Sequence, residues 1–172
     1  SELSFSHIIV YTTNMTASTD QVITGKDVLP DPVSGPIDAL KEFYLAFNGR
    51  DMALMSRNWA RADDIAMSNP LGGIKRGWQE ISSVYRNIFA AGIRVYVEFY
   101  DFRIIESGDM FCAVGRERGH INKGDTELAL EIRTSRVYER LNSRWFQVHH
   151  HGSIDDPGLL KAYQDMVLRG KG

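Results

Sequence analysis

Residues 94–151 offer four successive segments dense in Val, Ile, Tyr and Phe, separated only by short turns, and this run restricts the fold more than any other feature. The segments are residues 94–106, 110–121, 126–140 and 144–151. The turns between them are Ser107-Gly108-Asp109, Asn122-Lys123-Gly124-Asp125 and Leu141-Asn142-Ser143. β-Branched and aromatic residues bounded by Gly, Asn, Asp and Ser read as strands joined by hairpins. Consecutive hairpins can only make an antiparallel meander. Strands this long bury one face, so other elements must cover it.

Those elements precede the meander. Pro36 suits a first helical position, and Ile37, Leu40, Phe43, Tyr44 and Phe47 follow at helical spacing, with Gly49 as the left-handed stop. Asp51 can cap a second, shorter helix with Met52, Met55 and Trp59 on its apolar stripe. Residues 64–69 read as a short strand ended by Pro70 and the Gly72-Gly73 turn. A third helix starts near Gly77, has Glu80 in its positive first turn and buries Trp78, Ile81, Tyr85, Ile88 and Phe89. Asp156-Pro157 can start a final helix with Leu159, Leu160, Tyr163 and Val167 on one face. Helices followed by a long antiparallel sheet predict an α+β fold, three helices packed on a strongly curved sheet. Residues 36–153 form the expected body and residues 154–172 a helical extension. Residues 1–35 read as an arm or linker, either pairing with a neighbouring subunit or loose, with strand character at residues 5–11.

A chain of 172 residues has the length of one domain. Lys and Arg total 20 against 22 Asp and Glu, which gives no basic footprint for nucleic acid and no polybasic membrane patch. No apolar run approaches the roughly 18 residues of a membrane span, and Ser1-Glu2-Leu3-Ser4 has no signal-peptide character, so a cytoplasmic location is expected. The single cysteine, Cys112, excludes an internal disulfide and a cysteine-rich metal site, and no cofactor is expected.

Particular motifs carry a resemblance. Phe47-Asn48-Gly49-Arg50-Asp51, Asn69-Pro70-Leu71-Gly72, the helix from Gly77 and the last hairpin resemble the cone-shaped, cystatin-like fold of the nuclear transport factor 2-like and ketosteroid isomerase-like superfamily. The hairpin Arg136-Val137-Tyr138-Glu139-Arg140 with Arg144-Trp145-Phe146-Gln147-Val148-His149-His150-His151-Gly152-Ser153 is the most specific part. It is similar to the SnoaL-like branch and to the association domain of calcium/calmodulin-dependent protein kinase II. That scaffold hosts enzymes and structural modules alike.

Ketosteroid isomerase chemistry needs a carboxylate base and an oxyanion hole of a tyrosine and a protonated aspartic acid. The resemblance places these on Asn69, on Phe43 (with Tyr44 beside it) and on Thr134, so the set is absent. An Asn69 amide accepts no proton near neutral pH. His150 is the candidate catalytic acid or base by type, against the alternative of a hydrogen-bonded core residue. His149 and His151 share the opposite strand face, where a His-x-His pair is either a metal ligand or a structural feature. Cys112, Val114, Arg116 and Arg118 share one face of their strand, and Leu128, Leu130, Ile132, Thr134 and Arg136 one face of the next. Both run from apolar to cationic, as a cone would from tip to mouth. The kinase association domain implies pocket arginines at Arg118 and Arg136, whereas the third falls on Gly152. The alternative is that both arginines pair with Glu98, Glu117 or Glu131.

Two functional readings follow. One is a small-molecule pocket lined by Phe43, Phe47 and Trp59 from the helices and Val114, Ile132, Phe146 and Val148 from the strands. Tyr44, Asn69, Arg118, Thr134, Arg136 and His150 would be its polar ligand-binding groups. It would hold an organic acid or enolisable carbonyl compound, as an isomerase, cyclase or lyase does. The other is a non-catalytic association module. In either case an uncovered sheet face carrying Tyr96 or Tyr100, Trp145, His149 and His151 would make a homodimer.

Overall fold

The structure, a computed structural model, describes residues 14–17 as backbone and residues 21–90 and 92–169 in full; the expected strand at residues 5–11 lies outside them. The elements in order are β1 (Asn14–Ala17), α1 (Pro36–Gly49), α2 (Met52–Asn58), β2 (Ala66–Ser68), β3 (Lys75–Arg76) and α3 (Gly77–Ala90). The long strands β4 (Arg94–Ser107), β5 (Met110–Lys123), β6 (Thr126–Leu141) and β7 (Arg144–Ser153) follow, then α4 (Pro157–Leu168). They build an α+β cone of the cystatin-like type. Its seven-stranded sheet has the order β1-β4-β5-β6-β7-β2-β3, with α1, α2 and α3 against the inner face. Among the described strands every pairing is antiparallel except β2 with β7, which is parallel. Residues 14–17 pair with the chain's own β4, and Ile23 bridges Phe99, so this segment shields the open β4 edge.

Local chemistry sets the helix ends. Asp51 Oδ1 accepts from Leu54 N at 2.9 Å, and Asp156 Oδ1 from Leu159 N at 2.6 Å. The left-handed stop of α1 falls on Arg50 (φ 54°), one residue beyond the expected Gly49. Arg50 offsets the cost of that conformation by donating its Nη2 to Ile93 O.

Glycines in β5 let the sheet curl. A Cβ on Gly119 would stand 1.9 Å from Tyr96 O, and one on Gly115 would stand 2.5 Å from Phe102 Cβ. Opposite Gly115 the β4–β5 register shifts between Tyr100 and Arg103, and Asp101 takes φ 46°. A bulge facing side-chain-free positions bends a strand sharply inward. The inner face of β5 is therefore Phe111, Ala113, Gly115, Glu117 and Gly119. Cys112, Val114, Arg116 and Arg118 lie on the outer face, which reverses the expectation for this strand.

β7 also carries an irregularity. Tyr138 pairs with Gln147 but Val137 pairs with His149, so Val148 is the extra residue. Trp145 and Gln147 before it, and His150 and Gly152 after it, all face inward. Trp145 is only 3 % exposed and packs edge-on against Phe111 at 4.9 Å, so it is not part of the outer face. Phe146 and Val148 lie half-buried away from the cone interior.

Where α1 meets the start of β7, Arg144 Nη2 donates to both oxygens of the buried Glu42, at 2.9 and 2.8 Å. Asn58 Nδ2 donates to Glu42 Oε1, and the Tyr138 hydroxyl donates to Asn58 Oδ1 at 3.1 Å. This network ties α1, α2, β6 and β7 together and satisfies the buried carboxylate. Among the described residues, no helix is long and apolar enough to cross a membrane.

Candidate functional site

Arg136, on the inner face of β6, is 2 % exposed. Its Nη2 donates to Glu117 Oε1 at 2.9 Å, its Nη1 to Gln147 Oε1 at 2.8 Å and its Nε to the Tyr44 hydroxyl oxygen at 3.2 Å. The Tyr44 hydroxyl in turn donates to Glu117 Oε1 at 2.6 Å. The guanidinium carbon lies 3.5 Å from the centre of the Phe43 ring, a cation–π contact inside the fold. Desolvation works against the arginine's charge, but Tyr44, Glu117, Tyr85 and Tyr138 together outweigh it and raise its pKa above the ordinary value. The Arg136–Glu117 pair is enclosed, with both side chains almost wholly removed from solvent.

Beyond the guanidinium lies a cavity of about 40 Å³. Its apolar wall includes Phe43, Phe47, Met67 and Ile132. Its polar wall is Asn69, Tyr85, Glu117, Arg136, His150 and Tyr163. With about 10–15 Å³ needed per water, such a space takes a few waters or one small functional group. The Tyr85 hydroxyl is buried without a hydrogen-bond partner. The Trp59 indole N–H and the Arg136 guanidinium lie near it as donors, close enough to lower its pKa slightly but short of full hydrogen-bond geometry. Burial pushes the Tyr85 phenol up to about 12, so it remains a protonated donor.

His150 Nδ1 lies 3.3 Å from Ser135 O. A carbonyl only accepts, so Nδ1 carries the hydrogen and Nε2 holds the free lone pair. Burial, then the nearby Arg136 charge, hold this imidazole well below its usual pKa, and the Ser135 carbonyl opposes them only in part. His150 is a neutral proton acceptor. Gly152 leaves room for the ring, because a Cβ there would stand 3.2 Å from His150 Nε2. The missing third arginine is thus explained by its neighbour, whose ring takes that space.

Neutral His150 makes stability depend on pH. The unfolded chain binds the imidazole proton at about pH 6.5, whereas the folded protein resists it. Its contribution is complete above that pH and is lost as pH falls below it, by up to about 1.4 kcal/mol per pH unit. Urea midpoints measured between pH 7.5 and 5.5 should fall accordingly, with a shallower decline in His150→Asn. Equal slopes in the two proteins would refute this assignment.

The structure brings Asn69, Arg136 and His150 together around the cavity, and Tyr44 stands directly behind them on Arg136. Trp59 and Thr134 are buried close by, without reaching the cavity wall. Arg118 is on the outer face with its side chain 51 % exposed, paired to Glu98 at 2.5 Å and stacked 4.4 Å over Tyr100. The expected convergence of Arg118 and Arg136 does not occur, and the mouth is not lined by those arginines. Val114 likewise faces out. His149 Nδ1 lies 2.9 Å from Ala66 O, which fixes β2 beside β7. The alternative reading, in which the two arginines pair with strand carboxylates, is the observed one: Arg136 pairs with Glu117 and Arg118 with Glu98. Tyr85, Gln147 and Tyr163 complete the site with no sequence signal as site residues. The signal for Glu117 was its alternation with Gly115 and Gly119, whose lack of side chains marks the crowded inner face.

Solved structures are similar in fold. The "putative calcium/calmodulin-dependent protein kinase type II association domain" of Thiobacillus denitrificans ATCC 25259 is 28 % identical, covers 76 % of this chain and 100 % of its own, and has a TM-score of 0.59. A nuclear transport factor 2-like superfamily protein of Salmonella enterica subsp. enterica serovar Typhimurium str. LT2 is 18 % identical over 70 % of this chain and 91 % of its own, with a TM-score of 0.62. A protein of unknown function from Pseudomonas putida KT2440, also nuclear transport factor 2-like, is 18 % identical over 73 % and 89 %, with a TM-score of 0.60. No curated protein matches the chain at a significant level. The SnoaL-like domain matches residues 37–157, the span from α1 to the start of α4 and most of the chain. By that match, the chain belongs to the SnoaL-like domain family.

Proposed function

We propose that the protein binds a neutral carbonyl compound, seating its carbonyl group in the cavity inside the cone, and moves a proton on the carbon beside that carbonyl. The observation that carries this reading is the enclosed Arg136–Glu117 pair, which borders a cavity instead of packed core. A buried ion pair adds little stability over apolar residues of the same volume, whereas perturbed titratable groups in a cleft mark functional sites. Arg136 and Glu117 cancel in charge and His150 is neutral, so the site favours a neutral ligand over the organic acid also considered. A carbonyl oxygen would accept from the unpartnered Tyr85 hydroxyl. His150 Nε2 would act as the base in an isomerase-, cyclase- or lyase-type step.

Cyclohexanone and cyclohexanecarboxylate serve as a matched pair of probes. Saturation-transfer NMR should show binding of the ketone in preference to the acid. Tyr85→Phe should weaken ketone binding about fivefold, the worth of one ordinary hydrogen bond. In deuterium oxide, exchange at the ketone's α-carbon should depend on the protein and be lost in His150→Asn. Preference for the carboxylate, or ketone binding indifferent to Tyr85→Phe, would overturn the reading.

A second reading, a non-catalytic association module, is favoured by the small size of the cavity and by the name of the Thiobacillus denitrificans relative. In it two copies would pair through the outer sheet face. Val114 and Ile105 are exposed there, and Tyr96 and Tyr100 lie half-exposed. Sedimentation at micromolar concentration should then show a dimer that Val114→Glu dissociates. A wild-type monomer would exclude this reading.

A further inference from the structure

α4 lies across three voids that share walls. Leu159 borders a surface cleft of about 250 Å³, whose wall includes Glu117 and Ile132. One turn on, Tyr163 closes the interior cavity of about 40 Å³, and that wall includes the same Glu117 and Ile132. One turn further, Val167 borders a second cleft of about 420 Å³, which shares Asn69 and Ile88 with the cavity. Residues four apart lie on one helix face, so a single face of α4 roofs all three spaces. From Leu159 to Val167 this face runs about 12 Å, at 1.5 Å per residue.

The fastenings of α4 are mostly internal. Asp156 caps its N-terminus, and Lys161–Asp165 and Arg169–Asp165 are ion pairs between residues at its own ends and middle. Among the described residues its side-chain hydrogen bonds to the body are Gln164 Nε2 to Pro70 O at 2.9 Å and, from Lys123 Nζ to Met166 O, a long one at 3.5 Å. Only Tyr163 and Val167 are buried. Leu159, Leu160 and Met166 pack against the core only in part, so a helix that satisfies most of its own polar groups and fully buries just two side chains can lift as a unit.

We propose that α4 is a displaceable lid and that the three voids are one groove, which takes an elongated neutral molecule with an apolar middle and polar ends. The middle meets Phe43, Phe47 and Ile132. One end reaches Arg116 and Arg133, and the other reaches Lys75 and Asn87. The neutrality of the ligand rests on the functional reading above; the lid does not.

Hydrogen exchange on the full chain without ligand tests the lid. Amides of α4 should exchange at least about tenfold faster than those of β5 and β6, because a lid opens locally while the sheet core exchanges on global unfolding. Gln164→Ala removes the Pro70 latch and should speed α4 exchange about fivefold. Nile red, a neutral fused-ring dye bearing a carbonyl, is the probe for the groove. Its affinity should rise by about the same factor in Gln164→Ala, since affinity scales with the fraction of open protein. α4 amides as slow as those of the sheet, or Nile red affinity unmoved by Gln164→Ala, would overturn the proposal. Nile red binding that follows the latch, with no preference for cyclohexanone over its acid, would sustain the lid and remove the carbonyl chemistry.

Discussion

Arg136→Ala should lower the unfolding free energy by on the order of 3–5 kcal/mol in urea titration, among the largest losses any single side chain of this protein can produce. The variant would leave the Glu117 carboxyl, about 5 % exposed, without its cationic partner and with the Tyr44 hydroxyl as its remaining side-chain donor. Gln147 Oε1 would lose its donor, and the Phe43 ring its cation. Arg136→Lys should recover only part of the loss, since an ammonium cannot serve Glu117, Gln147 and Tyr44 from one planar fork. The double variant Arg136→Met, Glu117→Gln should be markedly more stable than Arg136→Ala, because it removes both charges and keeps most of the volume. A loss below about 1 kcal/mol in Arg136→Ala would mean that water reaches the pair, at the value expected of exposed ion pairs.

Gly119→Ala should destabilise on the order of 3 kcal/mol, a large figure for one methyl group. The new Cβ would meet the Tyr96 carbonyl at 1.9 Å, a backbone atom that no rotamer change can move. Gly115→Ala, whose nearest neighbour is the Phe102 side-chain root at 2.5 Å, should cost less if the bulge shifts. Gly49→Ala, with nothing within 4 Å, is the control and should be neutral or slightly stabilising. Denaturant midpoints of the three variants test the ranking, and a tolerant Gly119→Ala would show that β4 does not approach β5 this closely.

Why the inward face of Arg136 is legible in the sequence, and that of Glu117 is not, is a matter of strand symmetry. In β6 one face is Leu130, Ile132, Thr134 and Arg136 and the other is Glu131, Arg133 and Ser135, so only one can be the core. β5 opens with Phe111, Cys112, Ala113 and Val114, apolar on both faces, and period-two alternation alone does not say which is buried. The hairpins, the three helices before them and the face of α4 were readable because each had a repeating apolar pattern and a cap or turn. The bulge at Val148 left no such mark. It carries Trp145 and His150 to the same side despite their odd separation, so Trp145 was assigned to the wrong face and His150 to the right one. The site is assembled from side chains whose direction depends on those irregularities, and Tyr163 reaches it only through the path of the chain after β7.

The parallel pairing of β2 with β7 has a consequence for how the chain becomes a protein at all. Ala66 meets His149 across 83 residues, whereas β4, β5, β6 and β7 are linked in sequence by hairpins. Closing so long a loop is slow compared with zipping adjacent strands. A nascent chain leaving the ribosome therefore exposes the apolar stripe of α1 until β4 is made, and that of α2 until β7 follows. Only when the last strand emerges does the helical half gain both the surface it packs on and the strand that pins it. The order in which this molecule is made is nearly the reverse of the order in which it can be finished.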